Sequence, residues 1–223
     1  MAYGLETVDT LEDPNQTGYS KTLDMHQIPF PDSQIRKRAR AYVRNELPPE
    51  IFNHSFRVYA IGMVILQVLE FEVDPETFFL ASMFHDIGAS PKNIPATKLS
   101  FEPYGGILAR KWFLDEGLNQ DQADSTVEAI MRHTMPPGKM IHACGQLLQL
   151  ATAMDDIGDH GSLIDQETGD NIVMAYLRLR FNVYFSDSMK DEVAMKPGCI
   201  TATRGEPYFS EIKNNMQMRR FGK

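Results

Sequence analysis

Residues 75–86 read PETFFLASMFHD, a stretch that is apolar on nearly every side and stops at a histidine and an aspartate. A helix apolar all round has no face to offer water and must be enclosed by other elements. Asp74 as cap, Pro75 at the first helical position and Gly88 beyond the end mark its limits. The chain around it supplies the enclosure. A helix is predicted from Asp32 or Ser33 to the stop at Pro48 and Pro49, and another from Ile51 to Leu69. In the second, Ile51, Val58, Ile61, Ile65 and Val68 recur every three or four residues, and His54 falls in the same stripe. Ser100 and Asn119 cap two amphipathic helices, ended by Gly117 and by Pro136. From His142 to Asp156 one face carries Cys144, Leu148, Ala151 and Asp155. A further helix is predicted over Asp170 to Tyr184, and a short one near the C-terminus. No repeat and no strand-like alternation is visible, so the fold class is all-α: one helical domain over 31–223, preceded by an extended arm over 1–30.

Thirty acidic residues against 22 basic ones give a formal charge of −8. That balance argues against a nucleic-acid backbone or an anionic membrane as partner and favours a small neutral or cationic substrate. Cys144 and Cys199 are the only cysteines and form no CxxC pattern, so neither a disulfide framework nor a thiolate metal cluster is expected. No apolar run approaches 18 residues, and the N-terminal stretch is acidic, without the basic start of a signal peptide. The expected location is the cytoplasm, with the nucleus as alternative. The apolar surface content is compatible with a homodimer.

Three apolar faces each end in a metal-competent group: His54, the pair His85 and Asp86, and Asp155. Two imidazoles and two carboxylates suit a borderline divalent ion such as zinc, with iron(II), manganese, cobalt or nickel as alternatives. Adjacent side chains on a regular helix point about 100° apart. His85 and Asp86 can therefore meet one ion only at a helix end, which Gly88 and Pro91 provide. His133 lies on the same helix edge as Thr126 and Ile130 and also turns inward. Gly105 and Gly106 inside a helix imply close approach of another segment, since each glycine costs about 1 kcal/mol relative to alanine.

The order His, His-Asp, distant Asp resembles the HD-domain superfamily of metal-dependent hydrolases. The segments FNHSFRVY (52–59), FHDIGASPKNIPATKLSFEPYGGILAR (84–110), EAIMRHT (128–134) and LQLATAMDDIG (148–158) resemble its cyanamide hydratase branch. The resemblance implies a helical HD fold, one bound zinc ion held by His54, His85, Asp86 and Asp155, and hydration of cyanamide to urea. It places His133 beside the metal as proton donor or water-orienting group, with Glu102 as the second choice, and puts Lys98 and Glu102 along the pocket. Asp156 stands where the branch carries an asparagine that can touch substrate. The C-terminal stretch KPGCITATRG (196–205) lacks the Trp and His of the branch pattern. The alternatives are hydration or hydrolysis of another small nitrile-like or isocyanide-like molecule, nucleotide phosphohydrolysis, a two-metal oxygenase using His133 and His142, and a structural metal module.

Overall fold

The structure is a computed structural model that describes residues 3–10, 22–69, 71–136, 138–215 and 218. Among these residues the chain runs through α1 (Gln34–Glu46), α2 (Pro49–Ile65), α3 (Pro75–Phe84), α4 (Phe101–Asp115), α5 (Gln120–Arg132), α6 (Ala143–Ile157), α7 (Gln166–Ala175), α8 (Phe181–Met195) and α9 (Gly205–Asn214). The all-α class holds. α3 is the enclosed rod: every residue from Thr77 to Phe84 is buried, and α1, α2, α5 and α6 surround it. Its Asp74 cap accepts the Thr77 N–H at 2.8 Å, and Ser33 and Asn119 cap α1 and α5 in the same way.

Three local expectations change. Two short antiparallel strands, β1 (Thr7–Asp9) and β2 (Met140–His142), pair with Thr7 opposite His142. Three residues per strand are too few to display an alternating pattern. The helix predicted over 170–184 is two helices, because the chain breaks between Ala175 and Phe181, where Leu179 adopts a φ of 54°. Arg57 Nη1 takes the carbonyls of Tyr176 and Leu177 there at 3.1 and 3.3 Å, so a tertiary contact overrides local propensity. Ser100 precedes α4, but its hydroxyl accepts from Ile200 N–H, while the first N–H of α4, that of Phe101, goes to the buried Glu192 carboxylate at 2.8 Å.

The arm lies against the domain where it is described. Glu6 and Gly4 offer their carbonyls to the N–H groups of Ala143 and Cys144, which a helix start leaves without partners. Residues 22–30 add Leu23 and Ile28 to the core, and Pro29 accepts the Tyr59 hydroxyl at 2.6 Å. Residues 11–21 of the arm lie outside the described part. No described helix is long and apolar enough to cross a membrane. Cys144 and Cys199 are both buried free thiols.

The turn after α3 presses on the start of α4. A Cβ on Gly88 would lie 2.0 Å from the Phe101 carbonyl oxygen and 2.8 Å from the Gly105 nitrogen. Both are backbone atoms and cannot swing aside. Gly105 in turn faces the Gly88 backbone at 3.1 Å, and Gly106 faces the Met131 side chain, so the paired glycines do mark close packing. Gly88→Ala is expected to lose about 1–3 kcal/mol or more of stability by overpacking, read as a lowered denaturation midpoint. An unchanged midpoint would contradict this contact.

Candidate metal centre

His54 sits in the middle of α2, fully buried, with its ring stacked on Phe181 at 4.3 Å between centroids. α3 ends at Phe84, so His85 caps it and Asp86 leaves the helical path with φ −99° and ψ 11°. That departure lets neighbouring side chains converge. His133 caps the end of α5.

The rear nitrogens of all three imidazoles are committed. His54 Nδ1 meets an Asp155 carboxylate oxygen at 2.6 Å, His85 Nδ1 meets the Ser82 carbonyl at 2.7 Å, and His133 Nδ1 meets the Ile130 carbonyl at 2.6 Å. Those oxygens only accept, so each Nδ1 carries a proton and the Nε2 of each ring is the atom turned to the interior. The Nε2 atoms of His54 and His85 stand 3.0 Å apart. Two lone pairs repel at that distance unless a cation or a proton lies between them.

Asp86 completes the arrangement. One oxygen lies 3.3 Å from His85 Nε2 and 3.6 Å from His54 Nε2, and the other lies 3.6 Å from His133 Nε2. Neither oxygen has a hydrogen-bond partner among the described residues, and the side chain is buried. An uncompensated buried carboxylate is costly, so this one needs positive charge. Burial pushes His54 down to about 4 against the pull of Asp155, leaving its ring neutral and its lone pair available at neutral pH. Burial also opposes charge on His85 and Asp86, yet their mutual attraction wins: His85 rises above its ordinary value, and Asp86 falls far below the usual carboxylate range. His54, His85 and Asp86 offer ligand atoms within 4.8 Å of one another. This donor set of two nitrogens and a carboxylate fits a divalent ion.

Residues 51–156 match the family model of the HD domain. Over 189 residues the chain is 35% identical to two proteins of Saccharomyces cerevisiae, "Cyanamide hydratase DDI2" and "Cyanamide hydratase DDI3", a match covering 83% of this chain and 84% of each relative. The chain belongs to the cyanamide hydratase branch of the HD-domain superfamily.

Within this HD domain the remaining site residues lie as follows. Asp155 is on the far edge of the His54 ring, outside the three-residue group. Its two oxygens accept from Arg57 Nε and Nη2 at 2.8–3.1 Å and from Arg178 Nη1 at 2.7 Å. Both guanidiniums lie over the Phe181 ring. Against the cost of burial, these two cations and His54 hold the Asp155 carboxyl well below the usual range. The neighbouring Asp156 is the α6 carboxylate that approaches the group, with Oδ1 3.7 Å from His54 Nε2. Burial and the charges of Asp86 and Asp155 raise its carboxyl well above the ordinary value.

Glu102 is buried in the first turn of α4 and accepts the Thr134 hydroxyl. Burial raises its carboxyl, and His133 and Thr134 partly counter that. Lys98 stays exposed in the loop before α4, because a surface loop lets an ammonium keep its water. The buried ammonium nearby is Lys196, which reaches the Leu99 carbonyl at 2.8 Å and Glu192 at 3.3 Å.

A cavity of about 30 Å³ adjoins the group and is lined by His133, Thr134, Thr152, Asp156, Arg204 and Tyr208, among others. A larger cavity of about 280 Å³ shares His133 and Arg204. A wider cleft of about 560 Å³ lies between α8 and the 89–95 loop and contains none of the metal-competent group. Thr134, Arg178 and Arg204 take part in the site without having been expected there. Thr134 follows His133 in the EAIMRHT segment, and Arg204 lies in the 196–205 stretch that departs from the branch pattern; Arg178 had no sequence signal.

Proposed function

We propose that this protein adds water across the carbon–nitrogen triple bond of cyanamide to give urea, with zinc as the bound ion. The observation that carries the reading is the conjunction of inward lone pairs and orphaned Asp86 oxygens with a cavity of only about 30 Å³. That space lies an order of magnitude below the roughly 300–1,000 Å³ of pockets that hold drug-sized ligands, so it favours the smallest substrates. The names of the two yeast relatives support the same substrate.

His54, His85 and Asp86 hold the ion, and Asp155 fixes His54 from behind. When bound, the ion lowers the pKa of a water toward 7 and so provides a nucleophile strong enough for a weakly electrophilic carbon. His133, its Nδ1 proton given to Ile130, offers Nε2 to orient that water and accept its proton. Glu102, with its carboxyl raised by burial, is the acid. The Thr134 hydroxyl, which donates to Glu102 in this structure and lines the cavity wall, reverses that bond and accepts the Glu102 proton as it passes its own to the cavity. The nitrile nitrogen takes that proton, and the resulting isourea tautomerises to urea.

Nucleotide phosphohydrolysis fits less well. A nucleotide far exceeds the small cavity, two of the three nearby arginines, Arg57 and Arg178, are spent on Asp155, and Arg204 alone is left to meet phosphate. Metal-replete protein incubated with cyanamide is expected to release urea, while alkyl nitriles, isocyanides and nucleotides tested in parallel react slowly or not at all. Turnover of one of those compounds without urea from cyanamide would overturn the assignment.

A further inference from the structure

Two polar groups of opposite kind line the small cavity. Asp156 is 6% exposed, and its Oδ1 has no hydrogen-bond partner among the described residues. Arg204 comes from the far end of the chain, between the turn at Thr201–Thr203 and α9. Its Nη1 donates to the Thr134 carbonyl at 3.0 Å, and its guanidinium lies over the Tyr208 ring at 4.2 Å. Tyr208 lines the same cavity. The backbone behind it is anchored too: Arg204 N–H donates to the Thr201 carbonyl at 3.1 Å, and the Thr201 hydroxyl donates to the buried Glu192 at 2.7 Å. A guanidinium carries five N–H donors in a fixed plane, and the Thr134 carbonyl uses one of its nitrogens. The planar fork is thus anchored at the wall of the cavity that Asp156 also lines.

We propose that Asp156 and Arg204 form the pair that selects the substrate. The unpaired Asp156 carboxyl oxygen accepts a hydrogen bond from an N–H of the ligand, and the guanidinium donates one to a lone pair at its other end. The ligand class is a small neutral molecule with an amino donor on one side of an unsaturated carbon and an acceptor nitrogen or oxygen on the other. An alkyl nitrile of equal size offers only the acceptor and leaves the Asp156 oxygen unpaired. This inference rests on the hydratase reading and adds to it the residue that sets its selectivity.

The test uses metal-loaded, full-length protein. Binding of urea, which has both donor and acceptor, and of acetonitrile, which has only the acceptor, is titrated calorimetrically. KM and kcat for cyanamide and the metal content are measured alongside. Urea is expected to bind about fivefold more tightly than acetonitrile, the factor that one further hydrogen bond contributes. Arg204→Met is expected to raise the cyanamide KM and the urea Kd about 10- to 100-fold with metal content unchanged. Arg204→Lys keeps a donor and is expected to recover part of that loss; it also serves if the methionine variant does not fold. Asp156→Ala is expected to weaken urea and leave acetonitrile within about twofold. Normal KM and Kd in both Arg204 variants, or equal weakening of urea and acetonitrile by Asp156→Ala, would overturn the pair. If wild-type protein makes no urea from cyanamide yet shows this binding pattern, the reaction is misassigned and the pair stands. If urea forms and the variants behave as wild type, the pair is wrong and the reaction stands.

Discussion

Asp86→Asn is expected to leave the protein folded and to remove its metal. The side chain keeps its shape, so the packing where α3 ends is undisturbed. What disappears is the negative charge beside the Nε2 atoms of His54, His85 and His133. Changes to groups that merely support a metal ligand cost about 10–100-fold in affinity, so loss of a carboxylate ligand is expected to exceed about 100-fold. Elemental analysis after dialysis against a weak chelator reads this directly, and urea production is expected to fall with occupancy. The absence of negative charge also removes the partner that holds His85 protonatable, so His85 loses its elevated proton affinity in the variant. Full metal occupancy in Asp86→Asn would mean that the centre lies elsewhere.

Asp155→Ala is expected to act first on stability. Its carboxylate is the common partner of two buried guanidiniums and of His54 Nδ1. Removing one partner of a buried ion pair typically costs about 3–5 kcal/mol, because the remaining charge stays buried and uncompensated. For a chain of this size that corresponds to a melting temperature lowered by roughly 6–20 °C. Metal affinity is expected to drop about 10–100-fold as well, since the His54 ring loses the group that orients it. The two roles open to Asp155 separate in chelator-treated protein. An anchor makes the metal-free variant much less stable than metal-free wild type. A direct ligand leaves metal-free stability nearly unchanged and shows its effect only when the ion is present.

The helical frame was readable because α1, α3 and α5 start at capping side chains and apolar residues recur at helical spacing in the elements between them, and a fully apolar segment such as residues 75–84 has one plausible place. His54 and the His85–Asp86 pair were legible for the same reason, since each ends or occupies an apolar stripe. The expectation that adjacent ligands converge only at a helix end matches the exit of Asp86 from α3. The partners of Asp155 were not legible. Arg178 reaches it only because the chain breaks between α7 and α8, and that break is stabilised by Arg57, more than a hundred positions earlier in the sequence. Periodicity over 170–184 carries no trace of such a contact. Arg204 was hidden for a similar reason. A stretch rich in Gly, Thr and Pro does not announce which surface it will cover, and only the anchoring of Thr201 and Ile200 onto Glu192 and Ser100 sets it over the cavity. Lys98 illustrates the reverse case, where proximity in sequence to Glu102 did not bring a loop ammonium into the interior.

The β1–β2 pairing has a kinetic consequence. Thr10 bonds the Gly138 carbonyl across 128 positions of chain, and the Tyr3 carbonyl accepts from Ser125 across 122. These contacts clamp the segment between α5 and α6, which begins with His133 and Thr134. Closing so long a loop is entropically slow, and such contacts form after the local helices. During synthesis, the early segment must wait for more than half of the chain before it finds its partner. A folding chain is therefore expected to acquire its helical bundle first and the segment between α5 and α6 last.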